Sequence, residues 1–321
     1  MESMSKSSAK TAFTIRGMEF KNRVFVASGT FGYGDELCDL VDVVRLGGIF
    51  SKSLSWKPRM GNPPQRIVET SSGMLNSIGL ANIGVHAFID QKLPIIRSLD
   101  TKIIANIAAG SIQEFCDVLT LLEKQDGVAG YEINVSCPNV QEGGLSFGTD
   151  CSKIAEITSQ LRKLTEKPLI IKLTPNVTHI SEFARSAESA GADALSVINT
   201  LIGMAVDIKT RKPKLSTVTG GLSGPAIKPV ALAKVYEVAN AVKIPIFGIG
   251  GIASVDDVIE FLLVGATAIQ VGTMNFVDPG LSVKIVDGLE KYAVENNISD
   301  LGSLVGSLDA NLKFSVLQSW L

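Results

Sequence analysis

The sequence predicts an α/β fold, a (β/α)8 TIM barrel, and three observations point to it. Eight short apolar runs recur along 321 residues, amphipathic stretches with apolar spacing of three and four separate most of them, and the runs end in polar or glycine residues. In order, the first run, 24–27, leads into Ser28, and a helix is expected over 36–46. The second, 48–54, carries Lys52 and Ser53 and is followed by an insertion over 56–84. The third, 102–108, carries Asn106 and precedes a helix over 112–124; the fourth, 131–136, carries Asn134 and precedes one over 154–164. The fifth, 168–173, carries Lys172 and precedes a helix over 180–190. The sixth, 194–199, ends on Asn199 and Thr200, then an insertion over 201–226 and a helix over 229–242. The seventh, 244–250, ends on Gly250 and Gly251 before a helix over 255–264, and the eighth, 268–272, ends on Gly272 and Thr273. Such a barrel takes about 250 residues, so the surplus falls at the N-terminus and in the loop insertions.

Composition narrows the function classes. A formal net charge of −2 carries no basic excess that would favour nucleic acid, and 45% hydrophobic residues suffice for a large core. Cys38, Cys116, Cys137 and Cys151 are too dispersed for a paired-thiol zinc or iron-sulfur framework, a scatter that suits a reducing compartment. Residues 1–11 are rich in Ser and Lys without a signal-peptide core, and no run approaches the ~20 apolar residues that span a bilayer. The reading is a cytoplasmic protein with no membrane or nucleic-acid partner and no metal.

Barrel active sites form at the C-terminal ends of the strands, so two lysines and three asparagines on one rim point to a polar ligand. Asn134-Val135-Ser136-Cys137-Pro138-Asn139 sets a lone thiol between two amides at a strand end, a placement that suits proton transfer. Glycine clusters at 248–252 and Val271-Gly272-Thr273 fall where barrels bind phosphate, with backbone amides facing the anion, and 220–225 adds another flexible, amide-rich loop. His86 and His179 stand at expected helix starts, where capping or solvent exposure outweighs catalysis.

Nine segments in order carry a family resemblance: 27–32, Lys52-Ser53, 62–66, 73–80, 134–139, 171–173, 197–200, 220–229 and 248–252. Together they resemble dihydroorotate dehydrogenase, in particular the catalytic subunit of its NAD-linked, two-subunit class 1 branch. The resemblance runs from about residue 13 to 308, so the chain divides into an N-terminal extension (1–12), an FMN-binding barrel (13–308) and a C-terminal extension (309–321). It implies one FMN per chain and oxidation of (S)-dihydroorotate to orotate in pyrimidine (UMP) biosynthesis. Cys137 is then the base that takes the proton from carbon 5 while hydride leaves carbon 6 for the flavin. Lys52, Asn76, Ser77, Ile78, Gly79, Leu80, Asn134, Asn199 and Thr200 are implied to hold the substrate. Ser28, Lys52, Ser53, Asn106, Asn134, Lys172, Ile198, Gly224, Gly250, Gly251, Gly272 and Thr273 are implied to hold FMN, with Lys172 favouring its anionic reduced form.

The fumarate-using homodimeric branch shares the Cys-Pro-Asn loop, but Gln141-Glu142-Gly143-Gly144 and the long loop from Trp56 resemble the NAD-linked branch more. A barrel that binds a phosphorylated ligand without redox chemistry is the alternative from another class. The chain has neither a dinucleotide fingerprint nor clustered thiols, so the resemblance places FAD and a [2Fe-2S] centre on a partner subunit, with a dimer of this chain inside a heterotetramer. Cys137→Ser should keep orotate binding and FMN while flavin reduction at pH 7 slows by orders of magnitude and recovers partly as pH rises, because serine does not ionise near neutrality. Stopped-flow bleaching at several pH values checks this; a parental rate removes the cysteine from the mechanism.

Overall fold

The computed structural model describes residues 9–136 and 147–310. Strands β1 (Phe13–Ile15) and β2 (Met18–Phe20) form a hairpin, followed by β3 (Val24–Val26), β4 (Gly48–Phe50), β5 (Ile67–Thr70) and β6 (Gly73–Asn76). Helices α1 (Gly84–Ala87) and α2 (Leu93–Ile96) flank a π-helical turn, Phe88–Lys92. Then come β7 (Lys102–Ile107), α3 (Ile112–Glu123), β8 (Gly130–Asn134), α4 (Cys151–Arg162), β9 (Leu169–Leu173), α5 (Ile180–Ser189) and β10 (Ala194–Val197). The second insertion holds β11 (Leu201–Met204), β12 (Val206–Asp207), β13 (Lys212–Pro213) and β14 (Thr219–Ser223). The chain continues through α6 (Lys228–Ala239), β15 (Ile246–Ile249), α7 (Val255–Leu263), β16 (Ala268–Val271) and α8 (Leu281–Glu295).

All eight expected strands close one parallel barrel in the order β3, β4, β7, β8, β9, β10, β15, β16. Five of the six expected helices form as α3 to α7, three of them started by side-chain caps: Ser111 accepts from the Glu114 amide, Asp150 from Ser152 and Lys153, and Ser254 from Asp257. The helix expected over 36–46 does not form; turns and a 3-10 helix at Val43–Arg45 take its place. There the Glu36 carboxylate accepts from the Tyr33 and Gly34 amides, and Val41, Val43 and Val44 favour helix weakly. The apolar spacing that suggested a helix instead seats Val41, Val43 and Leu46 in the core from irregular backbone.

Alternation along the strands divides the barrel. Val24, Ile49, Ile103, Tyr131, Ile171 and Leu195 join the large core that includes the helices, whereas Phe25, Phe50, Ile104, Ile170, Ala194, Phe247 and Ala268 form a second cluster inside the barrel. Phe13, Ile15 and Phe20 of the hairpin complete that cluster and plug the N-terminal end. Two residues further along the same strands, the interior turns polar: Lys52 above Phe50, Asn106 above Ile104, Lys172 above Ile170, Ser196 above Ala194 and Gln270 above Ala268.

Both insertions contribute to one four-stranded antiparallel sheet, ordered β11-β14-β6-β5, in which Ile202 pairs with Gly221, Gly221 with Asn76 and Asn76 with Ile67. The basic run Lys209, Arg211, Lys212 and Lys214 lies exposed around the β12–β13 hairpin. Ile202, Met204, Val206 and Ile208 stand exposed along the same insertion. Within the expected N-terminal extension, Lys10 is docked: its amide donates to Ser299 and its carbonyl accepts from Leu301. Cys137 and the tail beyond residue 310 lie outside the described residues. Among the described residues, no helix is long and apolar enough to cross a membrane.

Phe247 meets Phe25 and Phe50 edge-on at centroid distances of 5.1 and 5.2 Å and is 1% exposed. Phe247→Ala should cost about 3–5 kcal/mol through the cavity left in this plug. Urea denaturation checks this, and a loss below about 1 kcal/mol would show that the plug collapses around the gap.

Candidate active site

Parallel register brings the rim residues together. Asn134 lies opposite Lys172, Lys172 opposite Ser196, and Asn106 opposite Glu132. Lys172 Nζ donates to Ser28 Oγ at 3.2 Å, and Asn106 Nδ2 reaches the same oxygen at 3.3 Å. Beneath them sits Glu132, fully buried, which the sequence reading counted within an apolar run. Its Oε1 accepts from Ser196 Oγ at 2.6 Å and Gln270 Nε2 at 3.1 Å; its Oε2 accepts from Asn106 Nδ2 and lies 3.8 Å from Lys172 Nζ. The missed signal was parity: Glu132 stands two residues before Asn134, so both point into the barrel.

A second chain of amides lines the rim. Asn199 Nδ2 donates to Asn134 Oδ1 at 3.3 Å, and Asn199 Oδ1 accepts from the Thr200 amide at 2.8 Å. Asn176, absent from the sequence reading, pins this corner by donating to the Thr200 carbonyl at 3.0 Å and accepting from the Ile202 amide at 3.0 Å. The insertion sheet adds Asn76, whose Nδ2 donates to the Gly221 carbonyl at 3.3 Å. After it, Ser77 to Leu80 form a loop held by Asn62, whose side chain donates to the Ser77 carbonyl at 3.0 Å and whose amide donates to Ile78 at 3.1 Å. Gly79 and Leu80 both have positive φ, 71° and 57°. Among the described residues no acceptor takes the amide hydrogens of Ile78, Gly79 and Leu80, a donor array that suits an anion.

The glycine loops meet on the other side. Gly224 (φ 94°) and Gly251 (φ 75°) come so close that a Cβ on Gly251 would stand 3.0 Å from the Gly224 carbonyl and 2.8 Å from the Lys228 amide. Thr273 Oγ1 donates to Ser223 Oγ at 2.8 Å beside them, while Gly250 and Gly272 end their strands at the same rim. Ile198 is buried and its amide donates to Ile249. Ser53 is next to Lys52 on the rim but joins none of these side-chain bonds.

Lys52 is half-buried, and among the described residues no acceptor takes its amine. Burial pushes its ammonium below the ordinary lysine range, against the opposing pull of Glu36. His86 packs edge-on against Trp56 at 4.8 Å, and His179 precedes α5 without capping it through its side chain. Cys38, Cys116 and Cys151 are free, partly buried thiols, each pushed up by burial and neighbouring carboxylates, as suits packing rather than reactivity.

A sequence model of the family described as dihydroorotate dehydrogenase matches residues 10–292. The chain belongs to the dihydroorotate dehydrogenase family. It is 52% identical over 294 residues to a protein of Geotalea uraniireducens (strain Rf4) named dihydroorotate dehydrogenase B (NAD(+)), catalytic subunit, covering 92% of this chain and 96% of the relative. A protein of the same name from Thermoanaerobacter sp. (strain X514) is 51% identical over 294 residues, 92% of this chain and 97% of that one. The fold likewise matches a crystal structure of a dihydroorotate dehydrogenase from Eimeria tenella in complex with ferulenol, with a TM-score of 0.78 at 19% identity, covering 96% of this chain and 90% of that one.

Lys52 should lose its proton at lower pH than the exposed lysines, and Glu36→Gln should lower it further because the charge opposing the shift is gone. NMR titration of the lysine side chains checks this. A Lys52 midpoint level with the exposed lysines, or one that rises in the variant, contradicts it.

Proposed function

We propose that this chain oxidises (S)-dihydroorotate to orotate in the cytoplasm, as the FMN-binding catalytic subunit of an NAD-linked dihydroorotate dehydrogenase. The observation that carries the reading is 52% identity over 92% of the chain to a relative of that name. The site fits a flavin on its own terms. Asn106 Oδ1 is buried without a partner among the described residues, an acceptor that a ligand donor would satisfy. Lys172 offers a cation at the barrel mouth, and the Gly224 and Gly251 loops offer a surface free of side chains to a phosphate. When bound, FMN supplies a two-electron acceptor.

This chain's residues do the rest. Lys52, with the amides of Ile78, Gly79 and Leu80, takes the substrate carboxylate. Asn134 and Asn199, together with Asn76, Ser77 and Thr200, hold its cyclic diamide, since each carboxamide presents both a donor and an acceptor. Cys137 Sγ takes the proton from carbon 5 as the carbon 6 hydrogen leaves with its electron pair, so the double bond forms between these carbons. Lys172, beside Ser28 and Asn106, keeps a positive charge where the electrons arrive. Ser53, Ile198, Gly250, Gly272 and Thr273 complete the proposed cofactor cradle. The exposed apolar row Ile202, Met204, Val206 and Ile208 supports a protein neighbour, and the assembly proposed is a heterotetramer with two copies of this chain and a partner carrying FAD and [2Fe-2S].

The purified chain should be yellow, with an FMN spectrum that dihydroorotate bleaches without oxygen. NAD reduction should appear only after a flavin and iron-sulfur subunit is added. A colourless chain, or one the substrate fails to bleach, defeats the flavin reading; steady NAD reduction by the chain alone defeats the two-subunit reading.

A further inference from the structure

We infer that Glu132 is a positioning residue for the cofactor site, one that sets the field Lys172 presents at the barrel mouth and aims Asn106. The inference rests on the flavin reading above. Glu132 is completely buried, and every neighbour donates to it: Ser196 Oγ at 2.6 Å, Gln270 Nε2 at 3.1 Å and Asn106 Nδ2, with Lys172 Nζ 3.8 Å away. That is the pattern of a carboxylate, which only accepts. Asn106 Oδ1 and Gln270 Oε1, by contrast, are buried with no partner among the described residues. A network built for packing alone would satisfy both acceptors, whereas here the amides turn their donors to Glu132 and leave their oxygens over. Lys172 is shared between Glu132 and Ser28 Oγ, 3.2 Å away, so the mouth sees a charge pair rather than a bare ammonium.

Two consequences follow for the flavin. Glu132 cancels part of the positive field, so it holds back the preference of the site for the anionic reduced form. Through Nδ2 it also fixes which face of the Asn106 amide is free to meet a ligand.

The test is Glu132→Gln, which keeps size and removes charge. The spare oxygens of Gln270 and Asn106 can take its new N–H by turning their amides, so the network can survive. After an FMN spectrum is confirmed in the parent protein, dissociation constants for oxidised and reduced FMN and the midpoint potential are measured in both proteins. The expected result is about a tenfold shift of the ratio in favour of reduced FMN, equivalent to ~30 mV for a two-electron couple. If both forms loosen equally and the potential stays in place, Glu132 only packs and the inference is overturned. A parent without flavin defeats the earlier reading instead. Should Glu132→Gln not fold, thermal melting of Lys172→Gln against the double variant Lys172→Gln/Glu132→Gln decides. The double variant should melt higher, because the single one leaves a buried carboxylate without its cation; a lower melting point overturns the pairing.

Discussion

A carboxylate held away from water inside the barrel governs the upper half of this molecule. Leaving one partner of such a buried pair without the other costs about 3–5 kcal/mol, so Glu132 requires donors, and the barrel supplies them from four strands. Asn106 comes from β7, Lys172 from β9, Ser196 from β10 and Gln270 from β16. Each of these side chains is thereby oriented before any ligand arrives. Ser28 is drawn in as a shared partner of Asn106 and Lys172. A rim that would otherwise be a ring of independent polar side chains becomes one connected unit, whose geometry shifts only as a whole.

The barrel separates stability from chemistry along its axis. Its lower interior is filled by Phe25, Phe50, Phe247 and the hairpin residues Phe13 and Phe20, whose rings pack edge-on or stacked at 5.1 to 6.2 Å. One alternation step higher, polar groups replace them. Dense apolar packing below gives the polar layer a rigid floor, which a preorganised site requires. Above the rim, the sheet formed by the two insertions ties Asn76 to Gly221 and carries the Ser77 to Leu80 loop toward the same mouth.

Much of this was legible in the residues, because a parallel strand buried on both faces reads as a continuous apolar run. All eight strands were found that way, and so were Ser28, Asn106, Asn134, Lys172 and Asn199 at their ends. Where the reading failed, a local interaction outweighed periodicity. The 36–46 segment has helical spacing, but Glu36 bonds the backbone three residues earlier and valines fill the buried positions. Glu132 was passed over because one charged residue inside an apolar strand does not disturb a window average. Asn176 left no signal at all, since its work is to hold a backbone carbonyl and an amide of a distant segment.

The sequence by itself determined the alternation of strands and helices, the residue types at the strand ends and the family to which the chain belongs. Those follow from local periodicity and from motifs read along the chain. Only the tertiary structure decided that the two insertions share one sheet, that Gly224 and Gly251 meet, and that Glu132 anchors Lys172, Asn106, Ser196 and Gln270. The Glu132 contacts join residues 26 to 138 positions apart, and the shared sheet joins Asn76 to Gly221, 145 positions apart. Barrel closure and strand register bring them together, and neither is encoded in any one segment.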